Sequence, residues 1–354
     1  MPKKRSAAAG ALACVLACVL GASFAAPAQA NDTLIILGGS LNVTLFDAQD
    51  AVAEGAGFYE AEHLTVVKQF TGTASNCTQL LALGKGDICG SGMEPIIVGY
   101  EKGVRAQFFF NRDPHYDYVT AVLSDSPIRT LADFKGKNLG EYNVGSASEI
   151  STNTLLAGAG LRKGDYTFTP VGGGAQALLA LTSQKIDGVS FPDAELAVDS
   201  IVGHVSFRVW RDPLIDDVPN VGYMSSPATI QSKGDLLRRY ARAMAKASLF
   251  IRYNPVAAAR YWLAEAHQKA TPEAVQTVAA EIGIFQSDFP AANPANKRIG
   301  AFPLRAIQLY CTYLYNAGLT KDVVPADAIV TNQFVAFAND FDHRAVIAQA
   351  KAAR

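Results

Sequence analysis

Charge of either sign is scarce in this chain: 18% of its 354 residues are Asp, Glu, Lys or Arg, and they nearly cancel to a formal −1. So balanced a composition leaves no basic footprint for nucleic acid or an anionic membrane. Long apolar runs are also missing beyond the first thirty residues, where no stretch has the ~20 uninterrupted apolar residues of a membrane span. Histidine is rare, with 5 residues and none in a motif. There is no Gly-x-Ser-x-Gly elbow, no P-loop and no His-Glu-x-x-His, so the chain is read as a non-enzyme with no cofactor. Neither a Cys-x-x-Cys nor a neighbouring His pair accompanies its 5 cysteines, and no metal centre is expected.

What is present begins with an address. Lys3-Lys4-Arg5 form a basic start, residues 7–24 an apolar stretch, and Ala28-Gln29-Ala30 an A-x-A site. This pattern predicts export and cleavage after Ala30, giving a soluble, slightly acidic exported protein of about two lobes by its length. A retained membrane anchor is one alternative, and a lipid attached at Cys18 of the Val15-Leu16-Ala17-Cys18 box is another. Three cysteines follow the site: Cys77, Cys89 and Cys311. Cys77 and Cys89 either form a disulfide, which export would permit, or are two separately buried thiols.

One phrase occurs twice. Leu80-Leu81-Ala82-Leu83 leads to Asp87-Ile88 and Ser91-Gly92-Met93-Glu94; Leu178-Leu179-Ala180-Leu181 leads to Ile186-Asp187-Gly188 and Ser190-Phe191-Pro192-Asp193. Each copy follows a glycine turn, at Gly72 and at Gly172-Gly173-Gly174. Strand, glycine turn, helix, turn and strand make one α/β unit, so two copies predict two α/β lobes facing each other. The surrounding pattern adds strands at 34–37, 41–46 and 63–70, a helix within 48–59 that ends near Gly55 or Gly57, a helix at 95–100, and a last strand of the second lobe at 205–210. Crossings between lobes are expected at 116–120 and 221–224. From Lys233 onward the pattern is helical. Leu237, Tyr240, Met244, Ala247 and Ile251 mark one face, Asn254-Pro255 and Thr271-Pro272 are helix starts, and Gly283 is a stop. Further helices are expected at 303–317 and 326–338.

Ligands of open α/β sheets sit at the carboxyl ends of strands, beside helix amino termini. Six loops qualify. From the first lobe they are Phe46-Asp47-Ala48-Gln49, Gly72-Thr73-Ala74 and Ser91-Gly92-Met93-Glu94. From the second they are Gly145-Ser146-Ala147-Ser148, Gly172-Gly173-Gly174 and Ser190-Phe191-Pro192-Asp193. Ser146 and Glu149 also fit a capping box. Each loop singly reads as turn and cap chemistry; together, in a duplicated frame, they read as a site. Phe46, Tyr116, Tyr118, Phe191 and Trp210 are aromatic walls or core. Carboxylates at Asp47, Glu94 and Asp193 suit a ligand with N–H donors, whereas helix amino termini suit a carboxylate, sulfonate or nitrate. Gly172-x-Gly174-x-x-Ala177 also matches a dinucleotide fingerprint, but a glycine-rich strand-to-helix turn produces that match by default.

These residues resemble the extracytoplasmic solute-binding proteins of ABC importers, in the group of nitrate, sulfonate, taurine and thiamine-pyrimidine-precursor binders. Residues 128–140, Gly145-Ser146 with Gly158-Ala159-Gly160-Leu161, the two repeated phrases, and Lys233 to Pro255 leading into Tyr261-Trp262 carry it. The resemblance implies an α/β type II periplasmic-binding-protein fold: two Rossmann-like lobes, two hinge crossings, and carboxyl-terminal helices packed on the first lobe. The lobes would comprise 31–118, 119–222 and the return with helices at 223–354, behind the leader 1–30. It further implies a monomer that takes one small molecule between its lobes and docks on the transmembrane subunits of an ABC permease. By position, the ligand residues would be Phe46, Asp47, Gln49, Gly72, Thr73, Ala74, Ser91, Met93, Glu94, Tyr118, Ser146, Ala147, Ser148, Gly172, Phe191 and Asp193. Two departures stand out. The first loop lacks the Ser and Pro frequent in the family, and the Cys-rich motif of the thiamine-biosynthetic enzymes is absent. An exported enzyme on the same fold, or a sensor for a membrane receptor, are the other readings.

Overall fold

A computed structural model describes residues 31–354 apart from 145, 213, 214, 216, 217 and 286–297. The leader, with Cys18 and the expected cleavage after Ala30, lies outside the described residues, as does Gly145. The described strands form two five-stranded sheets. The first contains β1 (Asp32–Gly38), β2 (Leu64–Phe70), β3 (Ile88–Gly92), β4 (Gln107–Asn111) and the late strand β10 (Val221–Ser225). In the second are β5 (Tyr118–Leu123), β6 (Asn138–Glu141), β7 (Thr167–Pro170), β8 (Gly188–Pro192) and β9 (Phe207–Trp210). Their orders, β2-β1-β3-β10-β4 and β7-β6-β8-β5-β9, correspond position by position. β10 runs antiparallel to β3 and β4, and β5 antiparallel to β8 and β9. Each half thus receives its one reversed strand from the chain that has just crossed over.

Helices α1 (Ala48–Gly55), α2 (Phe58–Ala61), α3 (Ala74–Ala82) and α4 (Glu94–Tyr100) flank the first sheet; α5 (Ala147–Gly158), α6 (Ala175–Thr182) and α7 (Asp193–Val202) flank the second. The repeated phrase is α3–β3 in one half and α6–β8 in the other, and both strands occupy the middle of their sheets. Its two aspartates do the same work. Asp87 Oδ2 accepts the Ile35 N–H at 3.0 Å, while the Asp87 N–H donates to Ile35 O at 2.8 Å. Asp187 Oδ2 accepts the Asn138 N–H at 2.9 Å and its N–H donates to Asn138 O at 2.7 Å. A lysine sits on each acid, Lys233 at 2.7 Å and Lys137 at 3.3 Å. The aspartates therefore start the β3–β1 and β8–β6 pairings in register, which is a scaffold role.

The remaining helices are α8 (Pro227–Ser232), α9 (Gly234–Tyr253), α10 (Pro255–Glu265), α11 (Pro272–Phe285), α12 (Leu304–Asn316), α13 (Ala326–Ile329), α14 (Val335–Ala338) and α15 (His343–Ala352). The five apolar positions read along α9 are all buried, in one core with α1, α10 and the first sheet. Asn254 and Thr271 cap their helices through the Ala257 and Ala274 N–H groups, at 2.9 and 3.1 Å. A second core, with Ile307, Tyr310, Leu314 and Ile329, covers the opposite face of that sheet. These helices pack on the first half as expected, with one addition: α11 also contacts α7 of the second half.

Several expected elements differ. Residues 41–46 form no strand, because Thr44 and Asp47 close a 3₁₀ turn at Leu45–Asp47, with Asp47 Oδ2 accepting the Thr44 N–H at 2.8 Å. The helix from Ala48 does end where expected, at Gly55, and Gly57, with φ +75°, separates it from α2. Gly283 does not stop α11, which continues to Phe285. The helix expected at 326–338 is split where Val330 bridges to Phe108 and Thr331 N–H donates to Phe108 O at 2.8 Å. The chain leaves the first sheet at Asn111 and Tyr118 already pairs in the second; on the return, Val221 is already in the first sheet. Each crossing thus lies just ahead of its expected place.

Cys77 and Cys89 are bonded, with Cα atoms 5.9 Å apart, and Cys311 is free and buried. The bond ties α3 to β3, and closing so short a loop contributes about 3 kcal/mol in the chain-entropy model. Replacing Asp87 with alanine should lower unfolding stability by about 1–3 kcal/mol, since the half-buried Ile35 N–H loses its acceptor. Urea unfolding measures this directly, and an unchanged midpoint would contradict the scaffold role.

Candidate functional site

The carboxyl ends of β1, β3 and β6 converge on one cleft of about 770 Å³. β1 runs out into Gly38-Gly39-Ser40, β3 into Ser91-Gly92, and β6 is followed by Tyr142-Asn143; the starts of α3 and α5 contribute Ala74 and Ser146. Small residues are required here. A Cβ on Gly39 would lie 3.0 Å from Ala74 Cα and 3.2 Å from Gly90 O, so the turn after β1 can sit against α3 only as glycine. Phe46 from the first half meets Tyr118 from the second with ring centroids 6.5 Å apart, forming an aromatic wall.

The floor of the cleft is charged. Asp50, on α1, is buried and accepts hydroxyls from Tyr59 at 2.7 Å, Tyr240 at 2.8 Å and Tyr223. Burial alone would raise its pKa, but Lys68, Arg112 and the tyrosine hydroxyls outweigh burial and hold it below the usual carboxylate range. Asp47 is engaged by the Thr44 N–H and hydroxyl and by Lys68 Nζ at 3.5 Å. Lys68 also pairs with Glu265. Arg112 differs from all of these. It is 6% exposed, its guanidinium carbon lies 4.7 Å from the Tyr223 ring centroid, and it lines the cleft, yet it donates to no acceptor among the described residues. Burial works against its charge, and Tyr223, Asp47 and Asp50 more than offset that. The acids at the floor are satisfied within the protein; the arginine is not.

On the second-sheet side, Ser146 caps α5 by accepting the Glu149 N–H at 3.4 Å and contacts Ser148 Oγ at 2.8 Å. The reciprocal half of the capping box is replaced by a bond from the Ser146 N–H to Asn143 O at 3.1 Å. A wider hollow of about 1350 Å³ adjoins the cleft, sharing Ser40, Thr44, Phe46, Tyr142 and Asn143. It is lined further by Gly172–Ala175, Glu195, Trp262 and Glu281. Glycine is needed at 172 and 174, where φ is +70° and +60°. The Gly174 N–H donates to Glu195 Oε1 at 2.6 Å, so a side chain of this protein occupies the amide that a dinucleotide phosphate would use. Burial pushes Glu195 up to about 7, although Tyr142 and Gly174 bond to its ionised form. Burial also raises Glu281 to about 7, with Glu195 and Asp199 adding to the effect.

Of the residues expected from sequence, Phe46, Asp47, Ala74, Ser91, Tyr118 and Ser146 line the main cleft, and Gly172 lines the adjoining hollow. Gln49 lines a small side pocket and donates to Ser248 Oγ at 3.0 Å and to Arg112 O at 3.3 Å. Gly72 and Thr73 form the turn that caps α3, Ala147 opens α5, and Ser148 is buried behind Ser146. The structure does not bring Met93, Glu94, Phe191 or Asp193 to the cleft. Met93 is core, and Glu94 is fully buried under β3, accepting Tyr310 and Tyr116 hydroxyls at 2.6 and 3.0 Å. Phe191 packs on Tyr142 with centroids 4.8 Å apart, while Asp193 pairs with Arg211 at 2.5 Å. Trp210 and Tyr116 are likewise packed in cores. Arg112, Tyr142, Asn143 and Tyr223 line the cleft without having been expected there. The one available signal for Arg112 was a basic residue just past Asn111 and the wholly apolar Phe108-Phe109-Phe110, at the start of a crossing.

A family model described as NMT1/THI5 like matches residues 48–258. No curated protein sequence matches the chain significantly. Among solved structures, the chain is similar to the alkanesulfonate-binding protein SsuA from Xanthomonas axonopodis pv. citri, bound to MOPS. That match has a TM-score of 0.61 at 17% identity over 86% of this chain and 99% of that one. The periplasmic nitrate-binding protein NrtA from Synechocystis PCC 6803 matches with a TM-score of 0.62 at 12% identity, over 92% and 99%. The desulfurization enzyme DszB matches with 0.54 at 16% identity, over 87% and 99%. At these identities the likeness establishes the fold: two α/β halves of the type II periplasmic-binding-protein kind.

The raised carboxyls have a thermodynamic consequence. Between about pH 4.5 and about pH 7 the native protein holds protons on groups such as Glu195 that the unfolded chain has released. Stability therefore falls as pH rises through that window. Glu195→Gln keeps an acceptor but cannot ionise, and denaturant unfolding across the window should show a shallower decline than in the unaltered protein. Equal slopes would show that Glu195 titrates normally.

Proposed function

The chain belongs to the NMT1/THI5-like family, and from that premise we propose that it is the substrate-binding component of an ABC importer. In this reading it acts as an exported monomer in the periplasm. It holds one small polar organic solute in the cleft between its sheets and passes it to the permease's transmembrane subunits. The cleft supports this: strand ends, helix starts and facing aromatics from both halves meet there. Similar structures named for binding alkanesulfonate and nitrate support it too.

The single observation that carries the ligand class is Arg112. A buried guanidinium with five donors and no acceptor among the described residues needs acceptors from elsewhere. Asp47 and Asp50, which could have favoured an amino-pyrimidine, already have their donors. The bound solute therefore presents an anionic group, such as a sulfonate or carboxylate, to Arg112. Its organic body lies against Phe46, Tyr118 and Tyr142, which fit a carbon skeleton better than bare nitrate.

Native mass spectrometry of the freshly purified protein should reveal a co-purified organic anion, and calorimetry should show binding of sulfonates or carboxylates but not of amino-pyrimidines. Arg112→Ala should weaken that binding by about 10- to 100-fold, the scale of one lost charged hydrogen-bond set, with Arg112→Lys in between. Unchanged affinity in Arg112→Ala, or a preference for amino-pyrimidines, would overturn the assignment. Turnover of the bound anion would show an enzyme instead.

A further inference from the structure

The chain passes from the first sheet to the second over six residues, 112–117, between Asn111 and Tyr118. Two acids, Asp113 and Asp117, sit on that passage and are 6% and 7% exposed. Each has one oxygen, Oδ2, with no donor among the described residues. Their other oxygens are engaged: Asp113 Oδ1 accepts the His115 N–H at 3.3 Å, and Asp117 Oδ1 accepts the side-chain amide of Asn220, on the return passage. Two buried carboxylates that act on one another, each with an orphaned oxygen, are unsatisfied as a pair of anions. They are satisfied if one proton lies between them.

We propose that Asp113 and Asp117 share one proton, and that this proton governs the passage between the two halves and with it the width of the cleft. The pair is bonded to the return passage and to the first residue of α7. Asn220 N–H donates to Asp113 O at 3.1 Å, Asp193 N–H to Asp117 O at 2.9 Å, and the Arg112 and Asp113 N–H groups to Val221 O at 3.1 and 3.2 Å. Hinge segments of this kind absorb domain rotations in a few residues.

The charged surroundings favour retention of the proton. Burial is the largest influence on both acids; it raises Asp113 to about 7 and Asp117 well above its ordinary value, with Asp113 and Asp193 adding to the latter. Asp193, facing from α7, is paired with Arg211, and His115 offers its backbone N–H. The Arg112 side chain turns instead to Tyr223 and Asp47. Below neutrality an O–H···O bond ties the two acids together. Above it two like charges four residues apart share a poorly solvated passage, and their repulsion lengthens it.

The full-length mature protein can report both steps. Carbon-13 carboxyl resonances of the unaltered protein should show one of the two aspartates losing its proton near neutral pH. Spin labels on Leu83→Cys and Leu179→Cys, exposed positions in the first and second halves, should give a distance distribution a few ångströms longer at about pH 8 than at about pH 6. Asp117→Asn should hold the shorter distribution at both values. Both aspartates titrating in the ordinary carboxylate range would overturn the proposal. So would a pH-independent distance in the unaltered protein, or a shift that persists in Asp117→Asn.

Discussion

Beneath the cleft a single buried carboxylate organises the first half of the molecule. Asp50 gathers hydroxyls from α2, α9 and β10, elements drawn from sequence positions 59, 240 and 223. Without those three donors the charge would be untenable at that depth. With them it anchors the rings on which Arg112 rests, and it supplies part of the negative field that keeps the arginine charged. The cleft floor is therefore a balanced set of ions in which one member is left open to the cleft. Moving any of the three tyrosines would disturb that member before it disturbed the walls.

Much of the architecture was legible in the chain because it is written twice. The phrase ending at Asp87 and Asp187 has a period and a fixed order of glycine, helix and acid, and such regularity survives without tertiary information. The caps at Asn254 and Thr271 and the apolar face of α9 were legible for the same reason: each is decided by neighbours within a turn or two. Residues 41–46 misled because their alternation mimics a strand, whereas Thr44 and Asp47 close a local turn stronger than any edge pairing available there. Positions 326–338 misled because a distant strand, β4, claims Val330 and Thr331 from the middle of the helical pattern.

The site was half legible. Strand ends and helix starts are local features, so Ser91, Ala74 and Ser146 were reachable from sequence. The acids that follow them were not, because one or two residues into the next helix a side chain has rotated away: Glu94 went under the sheet and Asp193 out to Arg211. Arg112 could not have been placed at all from its neighbours. Its burial is decided by Phe46 and Tyr223, which lie far from it in the chain on either side.

Besides its two covalent crossings, the molecule joins its halves through α4 against α5 and α11 against α7. Near the latter joint, Glu195, Asp199 and Glu281 influence one another and none of them lines the main cleft. The ease with which the halves part is thus set partly by residues that need never meet the solute in that cleft. Substitutions there can retune how tightly a cargo is held while leaving the choice of cargo alone. Descendants of such a protein can change strength of capture and identity of what is captured on separate evolutionary schedules.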